Sequence, residues 1–219
     1  MLYIVATPIG NLEDITLRAI RTLKEVDYIA AEDTRHARRL LDKYEIKTSV
    51  LSYHSYSSKS KENKIVDLLV EGKTVALISD AGTPGISDPA YGLIRSAIEE
   101  DIQICPIPGP TSSIAAVVMS GLPMNQFVYL GFLPVKKGRQ TLLKGLAEEK
   151  KTLVIFESPH RLQKTLSQLL EYFGNRKIAV CREITKIYEE ARRGTIEEMI
   201  THFETTKPKG EFVLVVEGA

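Results

Sequence analysis

The sequence predicts an α/β protein built in two halves. Three observations point there. Short apolar runs of strand length recur along the 219 residues. Amphipathic, helix-spaced segments separate them, and five of the strand runs end in polar or Gly/Pro-rich loops. Leu2–Ala6 reads as the first strand, followed by a helix over Thr16–Lys24 in which Leu17, Ile20 and Leu23 share one face. Strands at Tyr28–Ala31, Ser49–Ser52, Thr74–Ser79 and Gln103–Ile107 then alternate with helices at Thr34–Tyr44, Lys59–Glu71, Ala90–Glu100 and Thr111–Met119. Gly121–Gln126 gathers turn formers between two periodic regions, which sets the expected halves at 1–121 and 122–219. The second half carries strands at Phe127–Gly131, Thr152–Phe156, Lys177–Arg182 and Phe212–Val216, and helices at Gly138–Glu149, Arg161–Tyr172 and Thr195–His202. Pro159 before the helix at 161–172 and Gly174 after it follow the Pro-start, Gly-stop asymmetry. A cleft between two such halves is a natural ligand site.

Composition narrows the function classes. With 43% hydrophobic residues the chain is expected to fold around a sizeable core. A net charge of +1 gives none of the global basic field of a dedicated nucleic-acid-binding module, although a local basic face remains compatible with it. Cys105 and Cys181 are far apart, form no CxxC and read as buried thiols of a cytosolic protein. The N-terminus lacks the basic region of a signal peptide, and no apolar run reaches the roughly 18 residues of a membrane span. The expectation is a soluble, cytoplasmic protein with no membrane partner.

The familiar nucleotide signatures are missing: the glycines form neither GxGxxG nor GxxxxGK[ST]. His36, His54, His160 and His202 show no metal-ligand spacing with either cysteine, so no metal is expected. A GxSxG elbow is absent too. What stands out is the loop at 78–90. An ordinary β-to-α turn, with Asp88 as N-cap and Pro89 at the first helical position, accounts for those two residues. It leaves Ser79 to Gly85 unexplained. Four further segments close strand runs in the same way: Thr7–Asn11, Glu32–Arg35, Pro108–Ser113 and Glu157–Arg161. In a parallel sheet such loops would gather along one edge, where open α/β folds hold a ligand. Ser52–Ser60, rich in tyrosine and hydroxyls, reads as a solvated loop, with RNA stacking as the sharper alternative.

Together the segments TPIGNLEDIT (7–16), AAEDTR (30–35), SDAGTPGISDP (79–89), PGPTS (108–112), ESPHR (157–161) and CREITK (181–186) resemble the tetrapyrrole methylase superfamily. Within it they resemble the branch that methylates small-subunit ribosomal RNA. The resemblance runs from residue 3 to residue 218. It implies two α/β domains of the tetrapyrrole methylase type, usually a homodimer, with S-adenosyl-L-methionine in the interdomain cleft. The reaction implied is 2′-O-methylation of a cytidine ribose in the decoding region of 16S rRNA. Carried over by position, it puts Pro8 and Ile9 near the adenosine and methionine portions. It lines the methionine side with Asp80, Ala81, Gly82, Thr83, Pro84 and Ile86, and completes the pocket with Thr111, Ser112, Ser113, Phe156 and backbone near Cys181, Arg182 and Phe212. Gly82-Thr83-Pro84 stands where many members have Gly-Asp-Pro, so either Thr83 or Asp80 is left to meet the cofactor's charged end. The resemblance also implies a further helical segment after the closing strand, whereas this sequence ends at Ala219.

Methyl transfer to a ribose hydroxyl needs in-line positioning and either a base or a cation for the developing alkoxide. Glu32, Asp33, Glu157 and Glu183 are strand-end carboxylates able to act as base or as anchors for arginine. Lys186 is a candidate cation or, if burial lowers its pKa, a base. Helix capping is the plain alternative for Glu32 and Asp33. Arg35, Arg38 and Arg39, a second cluster of Lys136, Lys137 and Arg139, and the pair His160 and Arg161 are expected to track RNA phosphates. Arg182 with Arg192 and Arg193 forms a third basic cluster. For each cluster the plain alternative is a solvated face. Two other functions stay open on sequence alone: a tetrapyrrole C-methyltransferase, and a non-catalytic RNA- or ribosome-associated protein of the same fold.

Overall fold

The computed structural model describes residues 1–54, 59–88 and 90–219. The chain divides into two compact units, Met1–Thr111 and Ser112–Ala219. Helix 112–120 thus goes with the second unit, ahead of the turn-forming segment at 121–126 that the sequence offers as a boundary.

The first unit is a parallel sheet of β1 (Leu2–Val5), β2 (Tyr28–Ala31), β3 (Ser49–Ser52), β4 (Val75–Ile78) and β5 (Ile104–Ile107), in the order β3-β2-β4-β1-β5. Its helices are α1 (Leu17–Glu25), α2 (Thr34–Lys43), α3 (Lys59–Val70) and α4 (Tyr91–Glu99). Strand alternation sends Val5, Ile29, Ala31, Ala76 and Ile78 to one face, under Ala19 and Leu23 of α1 and Leu40 and Leu41 of α2. Leu2, Ile4, Ala30, Val75 and Leu77 line the other, under Ile65 and Leu69 of α3 and Leu93 and Ala97 of α4. Two covered faces explain why β4 is an unbroken apolar run, buried throughout. Pro106 sits in β5, an edge strand that tolerates a missing N–H. The helix after β4 lies on the opposite face from those after its neighbours β1 and β2. The loop leaving β4 therefore stands where connections diverge to the two faces, the place at which open α/β sheets form a crevice.

The second unit holds α5 (Ser112–Ser120), β6 (Phe127–Phe132), α6 (Arg139–Leu146), β7 (Thr152–Glu157), α7 (Leu162–Phe173), β8 (Lys177–Arg182), β9 (Glu190–Thr195), α8 (Ile196–Thr205) and β10 (Phe212–Val216). Its sheet, β6-β7-β10-β8-β9, is mixed: only β6 and β7 run parallel. The segment Glu157–Arg161 therefore belongs to this sheet and not to the parallel edge expected for all five loops. Leu143, Leu162, Leu166, Leu169, Met199 and Phe203 from α6, α7 and α8 pack on Leu153, Ile155, Ile178, Val180 and Leu214. Helix α5 packs against β8 and β10, with Ala116 O accepting from the Cys181 thiol. Burial first of all pushes that thiol up to about 11, which keeps it a neutral core residue.

Strand β9 is absent from the sequence reading. Its Glu-Ala-Arg-Arg-Gly-Thr run is polar because it forms a sheet edge, and charged side chains there discourage pairing with another chain. Helix starts are more legible. The Thr16 side chain accepts from Ala19 N–H, and Thr195 with Glu198 forms a full capping box at α8. Asp88 is not the cap of α4: that position belongs to Ala90, with no side-chain hydrogen bond. Pro89 and Ser55–Ser58 lie outside the described residues, while Tyr53 from the same tyrosine-rich stretch is buried against Glu62.

Candidate active site

In the first unit the loops after β1, β2, β4 and β5 meet at the carboxyl edge of the sheet. Thr7 and Gly82 exchange both backbone hydrogen bonds, at 2.9 and 3.0 Å, and form an isolated antiparallel bridge. The Thr7 hydroxyl also donates to Ser79 O at 3.1 Å. Gly82 has φ +79, and a side chain there would meet Ile9 Cγ2 at 3.4 Å and Pro110 O at 3.8 Å, so only glycine suits the position. Around this knot Pro8 and Pro84 are buried, Ile9 and Thr83 half-buried, and Asp80, Ala81, Gly85 and Ile86 exposed. Asp80 ties in the β2 loop: its Oδ1 accepts Asp33 N–H at 3.1 Å, and its own N–H donates to the Glu32 carboxylate.

Three carboxylates therefore share this edge. Burial pushes Glu32 above the ordinary glutamate range, the charges of Asp88 and Asp80 add to it, and the Asp80 N–H opposes them. Asp88 is raised as well, first by burial and then by Asp80, despite a hydrogen bond with Ser79. Asp33 is different in kind. It caps α2, accepting Arg35 N–H at 2.8 Å and His36 N–H at 3.4 Å, and lies below the ordinary range through these bonds and the Arg35 guanidinium. The capping reading thus describes Asp33, and of the pair Glu32 is the one with a raised proton affinity. In the sequence Asp88 reads only as a cap. Its place beside Ser79 and Glu32 depends on the fold of the whole loop.

In the second unit Glu183 and Thr185 hold φ of +49 and +67 at the turn joining β8 and β9, a region non-glycine residues occupy at a cost. Carboxylates hold the turn in shape. Glu183 Oε1 accepts Glu211 N–H at 2.9 Å and the Lys186 ammonium at 3.0 Å, and Glu211 Oε2 takes the same ammonium at 3.0 Å. Although burial acts to lower Lys186, hydrogen bonds to Glu211 and Glu183 raise it above the ordinary lysine value. Lys186 is therefore a cation, and the neutral-base alternative falls away. Glu183 is pulled below its ordinary value, burial opposing and the Glu211 N–H and Lys186 prevailing. A depressed carboxyl stabilises the fold fully above its unfolded value near 4.5, and that contribution is lost as pH falls through the lower folded value. Glu183→Gln keeps an oxygen for Glu211 N–H and removes only the charge. Its unfolding midpoint should fall less steeply than the wild type's when followed by circular dichroism below about pH 4.5.

The Glu157–Arg161 segment corrects two expectations. The Glu157 side chain is fully buried and accepts from Arg161 Nε and Nη2 at 2.8 and 3.1 Å, from Thr165 Oγ1 at 2.5 Å and from Ser158 N–H at 2.8 Å. Arg139, expected on an RNA-tracking surface, is buried and donates to Gln168 Oε1, Pro134 O and Thr165 Oγ1. Arg161 spends its fork on Glu157 and Leu133 O. Both guanidiniums face a buried carboxylate, so neither is free for phosphate. Arg35, Arg38, Arg39, Lys136, Lys137 and His160 are exposed. Ser112 and Ser113 open α5, and Phe156 is half-buried with its ring edge-on to Tyr129 and Phe132. Arg182 donates to Lys209 O at 2.7 Å, and the Phe212 side chain is in the core while its backbone lies in register with Glu157 and Arg182 in the sheet.

Among the described residues no group of three or more His, Cys, Asp or Glu is arranged to hold a metal ion. No helix of the described residues is long and apolar enough to cross a membrane. The family model for tetrapyrrole (corrin/porphyrin) methylases matches residues 1–200. A ribosomal RNA small subunit methyltransferase I from Halalkalibacterium halodurans is 52% identical over 218 residues, covering 99% of this chain and 75% of that protein. The protein of that name from Thermotoga maritima is 50% identical over 217 residues, covering 99% of this chain and 98% of its own. In fold the chain is similar to a crystal structure of diphthine synthase, with a TM-score of 0.77 at 13% identity over 99% of this chain and 89% of that one.

Proposed function

As the chain belongs to the tetrapyrrole (corrin/porphyrin) methylase family, we propose that it transfers the methyl group of S-adenosyl-L-methionine to the ribose 2′-hydroxyl of a cytidine in the decoding region of 16S rRNA. It acts on the small ribosomal subunit as a cytoplasmic homodimer. The observation that carries this reading is identity of 50% or more, along nearly the whole chain, to relatives named as small-subunit rRNA methyltransferases.

The cofactor reading agrees with the loop chemistry of the first unit. The bridge between Thr7 and Gly82 leaves bare backbone beside exposed Ala81 and Gly85, and the exposed Asp80 carboxylate suits an ammonium group. Asp80 is thus the better candidate than Thr83 for the cofactor's charged end. Thr111, Ser112, Ser113, Phe156 and the backbone at Arg182 and Phe212 complete the proposed cofactor set. When bound, S-adenosylmethionine supplies an electrophilic methyl group on a positively charged sulfur. The chain supplies orientation and proton transfer. Glu32, held by Asp80 N–H and raised by burial, accepts the proton released from the ribose hydroxyl. Lys186, fixed by Glu183 and Glu211, is a permanent cation for a phosphate or the developing alkoxide. Exposed Arg35, Arg38, Arg39, Lys136, Lys137 and His160 provide phosphate contacts.

Methyl transfer from tritiated cofactor to undermethylated small subunits is the direct test. Label recovered in 2′-O-methylcytidine supports the proposal. Label on a base, or transfer only to a corrinoid precursor, overturns it, and calorimetry that detects no cofactor binding removes the enzymatic reading altogether. The pH profile examines the base. With Glu32 raised, the acid limb of kcat should lie above the ordinary glutamate range. Asp88→Asn removes one of the charges that raises it, so the limb should move to lower pH while the plateau persists.

A further inference from the structure

We propose that Phe132 is the platform on which an unpaired base of the RNA substrate stacks, and that Arg139 and Arg161 are positioning residues that hold its segment from behind. This deepens the rRNA methyltransferase reading and rests on it. Phe132 ends β6 with 56% of its surface exposed, although an edge strand's last residue has no folding reason to be aromatic. Its ring is held in a T-shaped contact with Phe156 at 5.6 Å, and Phe156 in turn meets Tyr129 at 5.4 Å. Three residues further on Val135 is 66% exposed, and the neighbouring ammonium groups of Lys136 and Lys137 are exposed with no ion pair among the described residues.

The segment is held rather than loose. Arg161 Nη2 donates to Leu133 O and Arg139 Nη1 to Pro134 O, each at 3.1 Å, so two consecutive carbonyls are fixed by two guanidiniums. Those guanidiniums are themselves tied to Glu157, Thr165 and Gln168. Preorganisation of this kind lowers the ordering cost of binding. An exposed, anchored aromatic ring followed in the chain by unpaired cations fits a single-stranded polyanion with flat bases. A second copy of the chain fits less well, because a two-fold contact through this patch would bring its lysines against themselves.

The test is binding of a fluorescently labelled single-stranded 16S rRNA fragment spanning the decoding region, measured with the full chain across a salt series. Phe132→Ala should weaken binding roughly tenfold at every salt concentration without changing the salt slope, because stacking releases no counterions. Phe132→Leu, which keeps apolar packing on Phe156, should behave like the alanine variant, and Phe132→Tyr should restore binding. The Lys136→Ala, Lys137→Ala double variant should instead flatten the slope by about 1.4. Arg161→Lys, with no fork to span Glu157 and Leu133 O, should raise KM for small subunits at unchanged kcat. Affinity within twofold of wild type for both Phe132→Ala and Phe132→Leu overturns the proposal. So does a fall in sedimenting mass with RNA affinity unchanged, which would make the patch an interface between copies. Because binding is read without turnover, wild-type protein that shows the Phe132 effect but methylates no ribosomal RNA counts against the reaction alone.

Discussion

Glu157→Ala is expected to lower the thermal unfolding midpoint by roughly 10 °C, the largest stability effect anticipated from any single polar side chain here. Glu157 is fully buried and answers the Arg161 guanidinium directly, with Arg139 at 4.0 Å and linked through Thr165. Removing it leaves two cations largely cut off from water with no counter-charge. Breaking a buried pair in this way costs about 3–5 kcal/mol, and each kcal/mol is worth about 2–4 °C in a chain of this size. Removal of both partners tests the cause. Glu157→Leu combined with Arg161→Met leaves less uncompensated charge, so its midpoint should recover part of the loss. Differential scanning calorimetry of the two variants beside the wild type checks this, and equal midpoints for the single and double variants would point to lost packing instead of an orphaned charge.

Gly109→Ala should weaken cofactor binding by at least tenfold. A Cβ at position 109 would stand 2.9 Å from Ala6 Cβ and 3.5 Å from Ala6 O, against a buried strand end with no flexible side chain to give way. The Pro108–Ser113 segment must therefore move off β1. Pro110 O faces Gly82, so displacement there disturbs the Thr7–Gly82 bridge about which the proposed methionine-side wall is arranged. Overpacking of this kind costs roughly 1–3 kcal/mol, enough to displace a loop without unfolding the unit. Calorimetry with S-adenosylmethionine reads the affinity, and far-ultraviolet circular dichroism verifies that the fold persists. Unchanged affinity would remove this loop from the proposed pocket.

The alternation of strands and helices was legible because each element carries its own period: Val75–Ile78 is apolar throughout, and Thr16 caps Leu17–Glu25, although the helix buries Ala19, Thr22 and Leu23 and leaves Leu17 of the expected stripe exposed. Strand-end loops were legible for the same reason, since Gly82, Gly85 and Pro84 depart from any periodic pattern. Strand β9 was not, as an edge strand needs no apolar face and its residues read as a basic cluster. In the sequence Lys186 reads equally as cation or base, because its protonation depends on Glu211, which is 25 residues away. Arg139 and Arg161 were misplaced by the same logic. A run of basic residues looks alike whether it faces solvent or a buried carboxylate, and the carboxylate that decides for Arg139 comes from β7.

The sequence by itself determined the α/β class, the loops that carry chemistry and the family resemblance, all of which are local in the chain or spread along it as short motifs. Only the tertiary structure decided which charges are free. It joined Thr7 to Gly82 across 75 residues, assigned Asp33 to a helix cap, left Glu32 with a raised proton affinity, and turned two expected RNA contacts into donors to the Leu133 and Pro134 carbonyls. The physical reason is that a side chain's charge and availability are set by burial and by partners distant in sequence. No local period records them.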